Sequence, residues 1–136
     1  MDARLKTIAE DCLRASHGAT MTFPQIVATL AGAGFEGYTV DYRRGTTTYY
    51  LPDGDSVMLG SAFGADAVAA VFDKEGVEAA VRRAQANAPG YSYQEFSRSA
   101  KASGCAGYIV SFVGRRVVYF GRTGETHVEH FPGSAP

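Results

Sequence analysis

Apolar residues recur at helical spacing near the start of the chain. Leu5, Ile8, Ala9, Cys12 and Leu13 fall on one face, with Asp2, Lys6, Glu10 and Asp11 elsewhere on the wheel. This pattern predicts an amphipathic helix ending near His17-Gly18. Thr22-Phe23-Pro24-Gln25 reads as a capping box opening a second helix, with Phe23, Ile26, Val27 and Leu30 apolar and Gly34 placed to close it in the left-handed conformation. Beyond Gly34 the period changes to two, and Tyr38, Val40 and Tyr42 share one face of a strand. Arg43-Arg44-Gly45 turns the chain into a return strand over Thr46 to Leu51. Pro52-Asp53-Gly54-Asp55 turns it again into a third strand over Ser56 to Leu59.

The same pattern then runs a second time. Thr22 to Met58 aligns without a gap to Ser92 to Val128, seventy positions later: Gly34, Gly37, Tyr38, Val40, Tyr49 and Gly54 meet Gly104, Gly107, Tyr108, Val110, Tyr119 and Gly124. Ser92-Tyr93-Gln94-Glu95 repeats the capping box, Tyr93, Phe96 and Ala100 the buried helix face, and Tyr108, Val110 and Phe112 the strand face. Before them Val77, Ala80, Val81 and Ala84 predict the counterpart of the opening helix, started by Asp73. The second meander returns through Val113-Gly114-Arg115 into Arg116 to Phe120, then through Arg122-Thr123-Gly124 into Thr126 to Phe131. The glycine of the first turn has moved one place between copies, which points to different turn types at equal loop length. The fold expected is α+β: two tandem copies of a helix-helix-antiparallel three-stranded meander unit, about 1–60 and 73–131, packed into one domain over 1–136. The connector 60–72 is too short in its apolar run to tell helix from strand, and the tail 132–136 is expected to fray.

At 136 residues the chain is long enough for one core, and a unit of half that length rarely builds one alone. The net charge of −1 supplies no global field to attract nucleic acid or an anionic membrane, so partners must be sought in local patches. No apolar run approaches the roughly eighteen residues of a membrane span. Cys12 and Cys105 are the only cysteines, which argues against a disulfide framework and for two small buried hydrophobes. A cytoplasmic protein without membrane association is expected.

Two constellations carry candidate chemistry. Glu125-Thr126-His127-Val128-Glu129-His130 holds imidazoles and carboxylates able to transfer protons or ligate a metal. On a strand, His127 and Glu129 share a face while His130 points away, so two ligands converge where a catalytic metal wants three. The plainer reading is polar residues on a solvent-facing or edge strand, with His17 able to join only through the fold. Arg43, Arg44, Arg115, Arg116 and Arg122 gather in turns beside Tyr42 and other aromatics, a composition suited to binding single-stranded nucleic acid or a protein surface. The plainer reading there is a solvated surface over core-facing aromatics. No Ser or Cys lies in a nucleophile-elbow context, and no phosphate-loop spacing is present.

Val40-Asp41-Tyr42-Arg43-Arg44, Thr48-Tyr49-Tyr50-Leu51-Pro52-Asp53-Gly54, Gly104-Cys105-Ala106-Gly107-Tyr108 and the run from Val117 to Pro132 together resemble the YdfO-like family of small bacterial and prophage domains of unknown function, some labelled phage envelope protein. The resemblance implies an α+β fold in a bacterial or prophage setting and transfers no catalytic residues. The function expected is that of a non-enzymatic interaction domain, without a cofactor, binding a protein partner or another copy of itself through the Arg-bearing turns or the final strand. The alternatives are a small metal-assisted or acid/base enzyme using His127, Glu129 and His130, and nucleic-acid binding through the Arg turns.

Overall fold

The computed structural model describes residues 1–61, 63–86 and 92–131; the tail 132–136 lies outside them. The elements follow the order α1 (Ala3–Gly18), α2 (Phe23–Ala33), β1 (Gly37–Asp41), β2 (Thr46–Tyr50), β3 (Ser56–Gly60), α3 (Lys74–Ala86), α4 (Tyr93–Ala102), β4 (Cys105–Ser111), β5 (Arg116–Gly121) and β6 (Thr126–His130). The fold is α+β, with four helices and one six-stranded antiparallel sheet in the order β3-β2-β1-β4-β5-β6. The two meanders meet along β1 and β4, paired from Gly37↔Ser111 to Asp41↔Gly107.

Local chemistry places the helix ends. Thr22 and Gln25 make both bonds of the capping box, Thr22 N donating to Gln25 Oε1 at 2.8 Å and Gln25 N to Thr22 Oγ1 at 3.3 Å. Ser92 accepts from Glu95 N at 3.1 Å, while the Glu95 carboxylate accepts from Arg98 rather than completing the expected box. Asp73 starts α3 as expected, its Oδ1 accepting from Gly76 N. Asp2, read as part of the polar face, is the N-cap of α1 and accepts from Leu5 N.

One sheet face carries the core. Tyr38, Val40, Tyr42 and Tyr49 from one half, and Tyr108, Val110, Val117 and Tyr119 from the other, pack with Ala9, Cys12, Ile26, Leu30, Val77, Ala80, Val81, Phe96 and Ala100 of the helices. Cross-strand Tyr pairs mirror each other: Tyr38–Tyr49 and Tyr108–Tyr119 both have centroids 5.4 Å apart. Two positions expected inside are not. Ala84 is exposed, as is every residue of α3 after Val81, and Phe23 keeps part of its ring in solvent while setting its edge on Phe131.

Of the expected connector 60–72, Gly60 ends β3, and the described residues 61 and 63–72 are neither helix nor strand. It is pinned instead by single bonds: Ser61 N to Gly45 O, Ala69 N to Lys101 O and Asp73 N to Ser103 O. Phe63 drives its ring edge-on into Tyr42 at 5.1 Å, and the fully buried Lys101 donates to Phe63 O at 2.7 Å and Gly64 O at 3.4 Å. An ammonium in the interior is tolerable because carbonyls replace its water. These bonds lay the connector across the end of α4. A Cβ on Gly104 would stand 2.1 Å from Val71 O, and the residue also has φ 84°.

The first hairpin turns prove alike. Gly45 has φ 68°, and Arg115, seventy positions on, takes the same left-handed conformation at φ 52° despite its side chain. The displaced glycine therefore does not change the turn, and an arginine occupies the strained position.

Candidate functional site

β6 places His127 and Glu129 on the helix-facing side of the sheet. β6 is the edge strand expected, but His127 on it is buried rather than solvent-facing, because its row continues Tyr108 and Tyr119 under α3. Its Nε2 lies 2.5 Å from Glu129 Oε2, and the other carboxylate oxygen accepts from Arg82 of α3 at 2.7 Å. Burial pushes the Glu129 carboxyl up, but the hydrogen bonds and charges of Arg82 and His127 outweigh it and hold the group below the usual carboxylate range. The carboxylate is thus a bridge between a helix and an edge strand, its lone pairs already directed at two donors. His130 points to the opposite face and is exposed. Among the described residues no three His, Cys, Asp or Glu groups stand close enough to hold a metal ion.

His17 does not join them. Its Nδ1 faces Gln94 Nε2 at 3.0 Å and its Nε2 faces Ser61 Oγ at 2.7 Å, while its ring stands edge-on to Tyr93 at 5.1 Å. Burial lowers the pKa of the imidazole. With the Gln94 amide donating to Nδ1, the neutral ring carries its proton on Nε2 and donates to Ser61. That is the wrong tautomer for a base that would activate the serine. This serine–histidine contact spans 44 residues, and no motif in the sequence signals it.

The five candidate arginines do not form one patch. Antiparallel pairing of β1 with β4 sends the β1–β2 turn, bearing Arg43 and Arg44, to one end of the sheet and the β4–β5 turn, bearing Arg115, to the other. Arg116 begins β5 at that second end. Arg122, in the β5–β6 turn, returns to the end of Arg43 and Arg44 and donates to Val68 O at 3.3 Å. There Arg43, Arg122, Tyr42 and the connector residues Gly64 to Val68, Asp66 among them, border a cavity of about 470 Å³. The Tyr42 ring itself is buried, and its hydroxyl donates to Ser97 Oγ at 3.4 Å, so it presents no stacking surface.

The feature least visible in the sequence is the other side of the sheet. Register places Met58, Thr48, Thr39, Ile109, Val118 and Val128 in one transverse row across all six strands. They point away from the core. Met58 is 54% exposed, Ile109 44% and Val128 40%. On one side of this row lie Ser56, Tyr50, Gly37, Ser111, Arg116 and His130; on the other lie Gly60, Thr46, Asp41, Gly107, Phe120 and Thr126. Gly37, Thr39, Tyr50, Ile109 and Ser111 border a depression of about 320 Å³ on this face. A six-strand face with β-branched residues along its middle and, among the described residues, no helix over it is unusual for a water-facing surface, where strands normally alternate to polar side chains.

No protein-family model matches the chain, and no curated protein is similar to it. Among the described residues no helix is long and apolar enough to cross a membrane.

Proposed function

We propose that this chain is a non-enzymatic interaction domain whose uncovered sheet face docks against the surface of another folded protein. The observation that carries the reading is the row Met58–Thr48–Thr39–Ile109–Val118–Val128, which runs unbroken over six strands on the face opposite the helices. Burying such a row contributes roughly 25 cal/mol per Å² of apolar surface, and the flat, β-branched relief suits another ordered surface. The polar groups of the candidate constellations have internal work instead. Glu129 joins α3 to β6, His17 joins α1 to the connector and α4, and the arginines are parted between two ends.

The face is itself built from two meanders, which we attribute to a fused duplication of one helix-helix-meander unit. Both halves have the same element order, and positive φ falls at Gly34 and Gly104, Gly45 and Arg115, and Gly54 and Gly124, each pair seventy positions apart. Duplication accounts for the doubled width of the face: each unit brings three strands, and joining them along β1 and β4 makes one sheet of six.

The test is photo-crosslinking in cells that naturally express the chain, with a benzophenone amino acid replacing Ile109 on the sheet face or Arg98 on α4. Discrete adducts at position 109 and none at 98 are the expected result. Adducts equally abundant at both sites, or absent at 109, would overturn the reading.

A further inference from the structure

We infer that the occupant of the open sheet face is a second copy of this chain, packed face to face about a two-fold axis parallel to the strands. The inference rests on the interaction reading above and gives it a partner and a geometry. Its basis is that the two halves of the face differ in a complementary way. The half made by β1 to β3 presents Thr39, Thr46 and Thr48, small and partly polar, with the larger Tyr50 and Met58 on β2 and β3. The half made by β4 to β6 presents Ile109, Val118, Phe120 and Val128, larger and apolar.

A two-fold axis running between β1 and β4 along the strands exchanges these halves. Thr39 then faces Ile109 of the other copy, Thr48 faces Val118 and Thr46 faces Phe120, small against large, while Met58 meets Val128 as one apolar side chain against another. An isologous interface requires this kind of self-complementarity. In the row that ends at His130, Tyr50 faces Arg116, a ring against a guanidinium.

The charges obey the same exchange. At one end of the sheet Glu36, Asp53 and Asp55 belong to the first half, and Arg115, Arg116 and His130 to the second. At the other end Arg43, Arg44 and Asp41 belong to the first half, and Arg122 and Glu125 to the second, so both signs occur on each side there. The two-fold parallel to the strands therefore sets acidic against basic positions at the first end, where Asp55 also pairs with the Met1 ammonium at 2.6 Å, and the two mixed-sign turns against each other at the second. An axis across the strands would instead lay Thr39 over Thr39 and Ile109 over Ile109, losing the fit of small to large. Six strands about 4.8 Å apart and five residues long span roughly 500 Å² in projection, to which side-chain relief and the flanking turns add, against the order of 800 Å² per copy of a standard stable interface. Two twisted sheets pack in this way about 10 Å apart with their strands nearly aligned.

The experiment uses the purified full chain in sedimentation equilibrium from about 1 µM to about 1 mM, spanning the affinities of ordinary dimers. A monomer–dimer equilibrium is expected, with Ile109→Glu weakening it at least 100-fold while far-ultraviolet circular dichroism and the melting temperature stay near those of the unsubstituted chain. Thr48→Glu, opposite Val118, provides a second variant should the first fail to fold. A bismaleimide of roughly 10 Å span, matched to the sheet separation, should join Thr39→Cys to Ile109→Cys in a mixture of the two variants, and neither to itself. A monomer throughout, a dimer indifferent to both glutamates, or Thr39→Cys joined to itself would overturn the inference. A monomer in sedimentation together with position-109 adducts of another protein's mass would overturn the self-pairing alone and leave the interaction reading standing.

Discussion

The half of the molecule ending at β3 and the half ending at β6 solve the same packing problem with different chemistry at their edges. Val57 and Leu59 line the inner side of β3 as partly buried apolar contacts. In the same places on β6 stand His127 and Glu129, tied to Arg82 of α3. Elsewhere the exchange runs the other way: Val117 sits in the core of β5, whereas β2 buries Thr47 with its Oγ1 unpartnered among the described residues. The comparison teaches that an equivalent backbone position fixes burial and direction but leaves open how the side chain meets its neighbours. Apolar packing or a satisfied polar network serves there, and a half-satisfied group is the weak point.

The sharpest test compares the two glycines that follow α2 and α4. Both have positive φ, Gly34 at 105° and Gly104 at 84°, but a Cβ at Gly34 meets nothing within 4 Å and one at Gly104 strikes the Val71 carbonyl. Gly34→Ala should cost about 1 kcal/mol, the conformational penalty alone. Gly104→Ala should cost about 3–4 kcal/mol, because the connector must also leave the end of α4. Urea unfolding of the two variants measures the gap directly. Equal losses would mean that the connector yields freely, and that the bonds from Ala69 and Asp73 to the end of α4 contribute little.

The edge strands come next. Glu129 has a folded pKa held below its ordinary value, so its contribution is fully present above the unfolded carboxyl pKa near about 4.3 and disappears as pH falls through the lower folded value. Glu129→Gln should lose about 1–2 kcal/mol at pH 7, less than for a fully buried pair because Arg82 is half in solvent. The deficit should shrink toward zero on acidification below about pH 4. Leu59→Met on β3, which conserves shape and introduces no charge, should show a small deficit that is flat across the same range. A pH-independent loss in Glu129→Gln would show that the carboxylate packs without titrating in the bridge.

Thr47 permits a gain. Thr47→Val removes a buried hydroxyl without a partner and installs the residue type found at Val117, so stability should rise by about 1 kcal/mol. Val117→Thr should lose a similar amount. A loss in Thr47→Val would reveal that the hydroxyl has a partner in solution, such as an ordered water.

Much of the architecture was open to reading in the chain because its determinants are local and occur twice. Capping by Thr22 and Ser92, closure near Gly34 and Gly104, and alternation through Tyr38 to Tyr42 each act within a few residues. The uncovered face was not readable. Thr39, Thr48, Ile109, Val118 and Val128 are β-branched, and such residues fit a buried or an exposed pleat equally well, so period two identifies alternation without saying which side lacks a lid. Nor was the parting of the arginines, which depends on β1 meeting β4 antiparallel rather than on anything near a turn. Lys101 and the His17–Ser61 contact were hidden for a related reason: both are made by a connector whose path follows its anchors and not its own periodicity.

The smallest effect isolates the backbone from everything else. Gly45 and Arg115 occupy the same left-handed position in their hairpins, so the turns differ there mainly in the cost of a side chain at φ 52°. Replacing Arg115 with glycine removes that strain but gives the unfolded chain more freedom, and it forfeits the Arg115 guanidinium lying 5.9 Å from the Phe131 ring centroid. The strain is the larger quantity at an exposed turn, leaving a net stabilisation of about 0.5 kcal/mol. Gly45→Ala runs against the same preference and, with its Cβ 3.3 Å from Ser61 O, should destabilise by about 1 kcal/mol or more. Opposite signs at the two positions, read from thermal unfolding, are the expected outcome. A loss in Arg115→Gly would show that the ring contact and the other interactions of Arg115 outweigh the strain, and that the second half holds its turn by a side chain where the first relies on glycine.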